Sequence, residues 1–192
     1  MFFKDHDNKY FTPKIMLHEA FYSLIDKGDI DTIFEIYNKS QVVEFPPETA
    51  YRAALKGNLE LVKSIENVVD IKTPETLIGA CLSGNIELVY YLLSEKNCIT
   101  TKYATFSAAN NGYFEILKLL VMFGVEWDLR LPFKFAANNE MESLQTILSF
   151  GCPWPSEPID GAGPIEIAEL QGFKEMAEFC ERIGCPRFVT KV

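Results

Sequence analysis

Histidine is nearly missing from this chain: His6 and His18 are the two copies in 192 residues, both in the first 18. Hydrolytic nucleophiles need a base within reach, so this distribution argues against a catalytic triad. His18 reads as a capping or surface residue. Long apolar runs are lacking too, since the stretch from Ile116 to Gly124 is broken by Lys118 and falls far short of the roughly 20 residues of a membrane helix. The opening MFFKDHD has no apolar run ahead of a small-residue cleavage site and does not read as a secretory signal; the expected location is cytoplasmic. Basic residues are outnumbered, 18 against 27 acidic, for a net charge of −9. That balance opposes attraction to polyanions, so neither nucleic acid nor membrane is an expected partner. Five cysteines, an odd number without an export signal, favour reduced thiols over a disulfide framework. For the same reason Asn38-Lys39-Ser40, which fits the glycosylation pattern, is expected to go unused.

Metal and phosphate motifs are also wanting. A zinc site calls for cysteines paired two to four apart, whereas Cys180 and Cys185 form a near pair and Cys81, Cys98 and Cys152 are scattered. Asp160-Gly161-Ala162-Gly163 lacks the lysine and hydroxyl residue of a phosphate-binding loop and reads as a linker before a helix. No metal and no cofactor is expected.

What the chain does have is repetition. GNLELV (57–62) and GNIELV (84–89) nearly coincide, and anchoring on the glycine finds related copies at Gly28, Gly112 and Gly172, with a degenerate one at Glu140. These anchors lie 29, 27, 28, 28 and 32 residues apart. Such a period marks stacked supersecondary units. Four residues before the anchors stand Leu24, Ala53, Ala80, Ala108, Ala136 and Ala168, a small-residue position suited to close helix stacking. Past the anchors, Leu61, Val62 and Ile65, then Leu88, Val89 and Leu92, then Ile116, Leu117 and Leu120 follow the spacing of a buried helical stripe. Each unit is therefore predicted as helix, glycine turn, helix, with glycine supplying the left-handed conformation. Glu60, Glu87, Glu115 and Glu175 then fall in the first turns of the second helices, where the dipole favours them; they form a capping ladder on a solvated face. The predicted fold is all-α, six helix-turn-helix repeats sharing faces in a solenoid.

The fragments PFKFAANNE (132–140), FSAANNGYFEILKLL (106–120) and PIEIAELQGFKEM (164–176) resemble the ankyrin repeat, in which a threonine-proline-leucine-histidine start precedes paired alanines, a glycine and a second helix. The resemblance covers about residues 18–186. No copy carries the full four-residue start, and a period near 28 is shorter than the roughly 33 residues usual for the family, which implies finger loops trimmed to tight turns. Pro132 and Pro164 are placed at first helical positions. In the fifth copy Asn138 and Asn139 stand before Glu140, so an altered turn is expected rather than a missing repeat. GCPW (151–154) and GCP (184–186) are similar to short divergent ankyrin arrays encoded by large DNA viruses of amoebae. That resemblance implies an adaptor for host proteins.

The expected organisation is a capping segment over 1–17 that includes Phe2, Phe3, Tyr10 and Phe11, a repeat domain over 18–186 with a lengthened loop at 153–164, and a tail over 187–192. The resemblance implies a noncatalytic scaffold whose first helices line a concave face and bind a protein. The residues before the turn would point into that face, among them Lys56, Asn110, Asn111, Asn138, Asn139 and Gln171. Lys102 and Arg130 flank the strip near the turn tips, Tyr51, Tyr103, Phe106 and Trp127 border it, and core packing is an equal reading for Phe106. The lengthened segment from Pro153 to Pro164 is a second candidate contact: its four prolines stiffen the loop and lower its ordering cost on binding, and Trp154 within it could equally fold back onto the repeats. A monomer with weak self-association is expected. Two alternatives remain open: a self-associating structural or virion component, and a small enzyme or ligand-binding protein with a deep pocket.

Overall fold

The computed structural model describes residues 13–39 and 45–188. Among these there are twelve α-helices and no strand. They form six pairs: α1 (Pro13–Lys27) with α2 (Ile30–Lys39), α3 (Thr49–Leu55) with α4 (Leu59–Ile65), α5 (Pro74–Ser83) with α6 (Ile86–Ser94), α7 (Lys102–Asn110) with α8 (Phe114–Met122), α9 (Arg130–Ala137) with α10 (Met141–Ser149), and α11 (Pro164–Leu170) with α12 (Lys174–Arg182). The chain divides into two compact units between Ile99 and Thr100, three pairs to each. In the first unit α1 packs on α3 and α3 on α5; in the second, α7 packs on α9 and α9 on α11. Each second helix lies against its own first helix.

The anchoring glycines sit where the first helices end. Gly28, Gly57, Gly84, Gly112 and Gly172 have φ between 66° and 80°, a region that costs a Cβ-bearing residue energy. At Gly112 the Tyr113 N–H donates to the Ala108 carbonyl (2.9 Å) and the Gly112 N–H to that of Ala109 (3.1 Å), the paired bonds of a Schellman ending. The fifth repeat corrects the predicted register. Its left-handed residue is Asn139, at φ 59°, and Glu140 is the following N-cap position. The equivalent bonds run from Glu140 N–H to the Phe135 carbonyl (2.8 Å) and from Asn139 N–H to that of Ala136 (3.2 Å). Asparagine tolerates this conformation better than glutamate, which moves the turn one residue earlier. Phe135, fully buried, thus holds the place that Ala53, Ala80, Ala108 and Ala168 hold, all of them without exposed surface. Leu24 is half-buried there.

In the first unit the second helices α2, α4 and α6 are capped by residues directly after the glycine, whereas Tyr113, Glu140 and Phe173 make no side-chain cap on α8, α10 and α12. Asp29, Asn58 and Asn85 accept hydrogen bonds from the N–H groups of Thr32 (3.1 Å), Leu61 (2.9 Å) and Leu88 (3.0 Å), a side-chain cap three residues upstream. Glu60, Glu87, Glu115 and Glu175 lie exposed in the first turns, as predicted, but the capping bonds themselves are made by the shorter Asp29, Asn58 and Asn85 side chains. Asn85 also donates to the Gly57 carbonyl (2.7 Å), tying one turn to its neighbour 28 residues away. Where α5 meets α3, a Cβ on Gly79 would stand 2.8 Å from the Tyr51 carbonyl oxygen, so the absent side chain sets the approach of the two helices.

The predicted ends differ in detail. Residues 13–17 already belong to α1, and the boundary placed at residue 18 falls inside that helix; His6, Phe2, Phe3, Tyr10 and Phe11 lie outside the described residues, as do Ser40 and 189–192. Arg187 and Phe188 fold back on the last repeat. The Arg187 guanidinium meets Glu169 at 2.8 Å and Glu181 at 3.2 Å, and the Phe188 N–H donates to Glu166 (3.1 Å). In the lengthened loop Asp160 and Gly161 both have positive φ, while Ile159 and Ala162 exchange backbone bonds of 2.8 and 3.0 Å, as a two-residue hairpin turn requires. Gly161 of the segment read as a linker belongs to this turn, and Gly163 is the N-cap position of α11. Pro164 begins α11 as predicted, but α9 begins at Arg130, two residues ahead of Pro132.

Candidate functional site

In the second unit the loop leaving α8 reaches α9 across the start of α7. Thr105, buried on α7, pins it: the Asp128 N–H donates to the threonine hydroxyl (3.1 Å), which itself faces the carbonyls of Lys102 (2.7 Å) and Glu126 (3.1 Å). Asp128 is buried, with 1% of its surface exposed. Its Oδ1 accepts from the Arg130 N–H (3.1 Å) and Nε (2.8 Å), and its Oδ2 from the second guanidinium nitrogen (2.5 Å). This fork-on-carboxylate pairing fixes the guanidinium plane. Burial pushes the Asp128 carboxyl up, but the hydrogen bonds and charge of Arg130, with the charge of Lys102, outweigh it and hold the group below the usual carboxylate range.

Arg130 in turn lies over two rings, 4.8 Å from the centre of Phe106 and 5.2 Å from that of Tyr103, within cation–π range. Beside it opens a cleft of about 450 Å³ lined by Lys102, Trp127, Asp128, Arg130 and the loop from Pro155 to Ile159, inside the size range of ligand and peptide pockets. The lining includes Glu126 and Glu157, so both signs of charge stand at its rim. Compared with known proteins, the chain matches no family model and no curated sequence.

The structure brings Lys102, Tyr103 and Arg130 together. Lys102 and Tyr103 are exposed at the start of α7. The four asparagines do not form one free strip. Asn111 donates its amide to the Ser107 carbonyl (2.8 Å), Asn138 donates to Glu140 (2.8 Å), and Asn139 is the turn residue; Asn110 is exposed at the end of α7. Glu140 also meets Lys134 at 3.2 Å. Lys56 belongs to the first unit, 3.6 Å from Asp26, and Gln171 is exposed at the end of α11. Trp154 is half-buried and does not line the cleft, whereas Trp127 does.

Asp128 was not among the predicted contacts; the residues from Pro155 to Ile159 lie in the lengthened loop offered as the second candidate, but their approach to Arg130 was not predicted. An aspartate two residues before the first helical residue is itself a capping signal, so WDLR (127–130) held a clue to Asp128. The approach of the second loop carried none. All five cysteines are buried. Burial pushes Cys81, Cys152 and Cys185 up to about 12 and Cys98 and Cys180 up to about 11, which disfavours the reactive thiolate.

Proposed function

We propose that the chain is a noncatalytic protein-binding array of ankyrin-like repeats, in which first-helix starts of the second unit present the contact surface. The observation that carries this reading is Arg130, gripped by buried Asp128 and laid over Tyr103 and Phe106. Arginine and tyrosine are the residue types that dominate binding hot spots. Held in place before a partner arrives, they lose little freedom on docking. The neighbouring cleft, with Trp127 and the stiff Pro155–Pro158 stretch, gives a protruding side chain somewhere to insert. On the viral resemblance, the protein bound would be a host protein and this chain its adaptor.

The test is affinity capture from cell extract with the full chain and with a Lys102→Glu/Tyr103→Ala/Asn110→Ala variant. These three exposed side chains hold no helix cap, so the fold is expected to survive, as circular dichroism would confirm. A protein retained by the original chain and lost from the variant supports the reading; identical captures from both would sink it. Self-association is the second reading, favoured by Met122 and Leu170, exposed at 75% and 76%. Light scattering across a concentration series separates the two.

A further inference from the structure

Six residues before the turn residue, four of the six repeats carry an aromatic ring: Tyr22, Tyr51, Phe106 and Phe133. Two of these rings are covered by an arginine from the next first helix. In the first unit Arg52 lies 4.1 Å from the centre of Tyr22 and meets Glu48 at 3.2 Å and Asp26 at 3.8 Å. In the second, Arg130 lies over Phe106 and is paired to Asp128. The recurrent arrangement is thus a ring, a guanidinium above it and carboxylates around the guanidinium.

At Tyr51 the ring and the carboxylates recur without the cation. The next first helix, α5, has Gly79 at the register of Arg52 and Glu75 at the register of Arg130. The space beside the ring is a cleft of about 370 Å³, bordered by Tyr51, Glu48, Asp70 and Glu75. Every formal charge on its lining is negative. Glu48 shares its charge with Arg52; Asp70 uses one oxygen to accept from the Lys72 N–H (2.9 Å). Among the described residues no group of three or more acids, histidines or cysteines is placed to hold a metal ion.

We propose that this cleft receives the guanidinium of an arginine from a basic segment of a partner protein. It enters beside Tyr51 from the side bordered by Glu48, Asp70 and Glu75, because Gly79 of α5 closes against the ring from the other, and it meets there the ring and carboxylates that Arg52 and Arg130 meet within the chain. Arginine is favoured over lysine because a planar guanidinium stacks on the ring while its edge bonds carboxylates, a combination a point-charge ammonium does not reproduce. The net charge of −9 draws such a segment in. This inference does not depend on the surface around Arg130, and either can fail alone.

The test follows backbone amide resonances of the full chain while adding the capped peptide acetyl-Gly-Arg-Gly-Arg-Gly-amide, or the same peptide with neutral citrulline for arginine. The arginine peptide is expected to shift the amides of Tyr51, Asp70 and Glu75 in a saturable way, and the citrulline peptide to leave them in place. Asp70→Asn with Glu75→Gln should weaken binding about tenfold. Glu87→Gln with Glu175→Gln removes equal charge from exposed turns elsewhere and should change it by less than about twofold. Shifts confined to other surfaces, equal weakening by both double variants, or equal binding of the citrulline peptide would each overturn the proposal.

Discussion

A Cβ at Gly79 would meet the Tyr51 carbonyl oxygen at 2.8 Å and the Leu55 nitrogen at 3.2 Å, and both are backbone atoms of α3 that cannot swing aside. Gly79→Ala would gain about 1 kcal/mol of helix propensity, yet overpacking of this kind costs about 1–3 kcal/mol. We expect a net loss near 1 kcal/mol, read as a lower urea midpoint at unchanged slope; a gain would show that α5 moves freely. Asp128 and Arg130 form an unequal pair, because the carboxylate is buried while half of the arginine side chain is exposed. Arg130→Ala strands a buried charge and is expected to cost about 2 kcal/mol, whereas Asp128→Asn removes that charge but turns one buried amide NH2 toward the guanidinium donors and is expected to cost about 1 kcal/mol. The sign of the pH dependence follows from the lowered Asp128 value. A carboxyl depressed in the folded state contributes stability in full above its unfolded value of about 3.9, and loses it as pH falls through the depressed one. The original chain should therefore weaken below about pH 4. Arg130→Ala, which leaves burial of Asp128 opposed only by the residue-130 N–H and the charge of Lys102, should be less stable at pH 7 and flatter toward acid; parallel curves from pH 7 to 3 would refute the assignment.

Turns between helices set the register of each repeat, and Asn139 tests this directly. Asn139→Gly should stabilise by up to about 0.5 kcal/mol, and Asn139→Val should cost about 1–2 kcal/mol, since a branched Cβ is disfavoured at φ 59°. If both were neutral in chemical denaturation, the turn would not depend on that residue. The helix pairs were legible in the sequence because glycine at a fixed period is a steric requirement that leaves a letter behind. Where asparagine meets the requirement the letter changes, and the period points to Glu140, one residue late. The caps made by Asn58 and Asn85 were written in the same hexapeptides, but the acid two positions on drew the inference because dipole reasoning looks for charge. The site was only half legible. Lys102, Tyr103 and Arg130 could be placed near the turn tips from their offsets, but Arg130 over Phe106 depends on how far one helix slides past the next. No local pattern encodes that distance. Core and surface are therefore equal readings of Phe106 in the sequence, and in the structure the ring is half-buried beneath a cation.

At the scale of the molecule, repeats that lend one another hydrophobic cover need not melt as one body, and this chain has two compact units. Its thiols report on each. Cys81 and Cys98 lie in the first unit; Cys152, Cys180 and Cys185 lie in the second. With values pushed up to about 11 or 12 by burial, well under roughly one native thiol in a thousand is ionised at neutral pH, so alkylation requires opening. Iodoacetamide labelling across a urea series, with each cysteine peptide quantified by mass spectrometry, should give two transitions. The first two cysteines should share one midpoint and the other three another, because a side chain is released together with the helices that cover it. The spread within each set should be smaller than the gap between the sets. Five coincident midpoints would mean that the six helix pairs unfold as one cooperative body, and a set mixing Cys98 with Cys152 would place the division elsewhere than between Ile99 and Thr100.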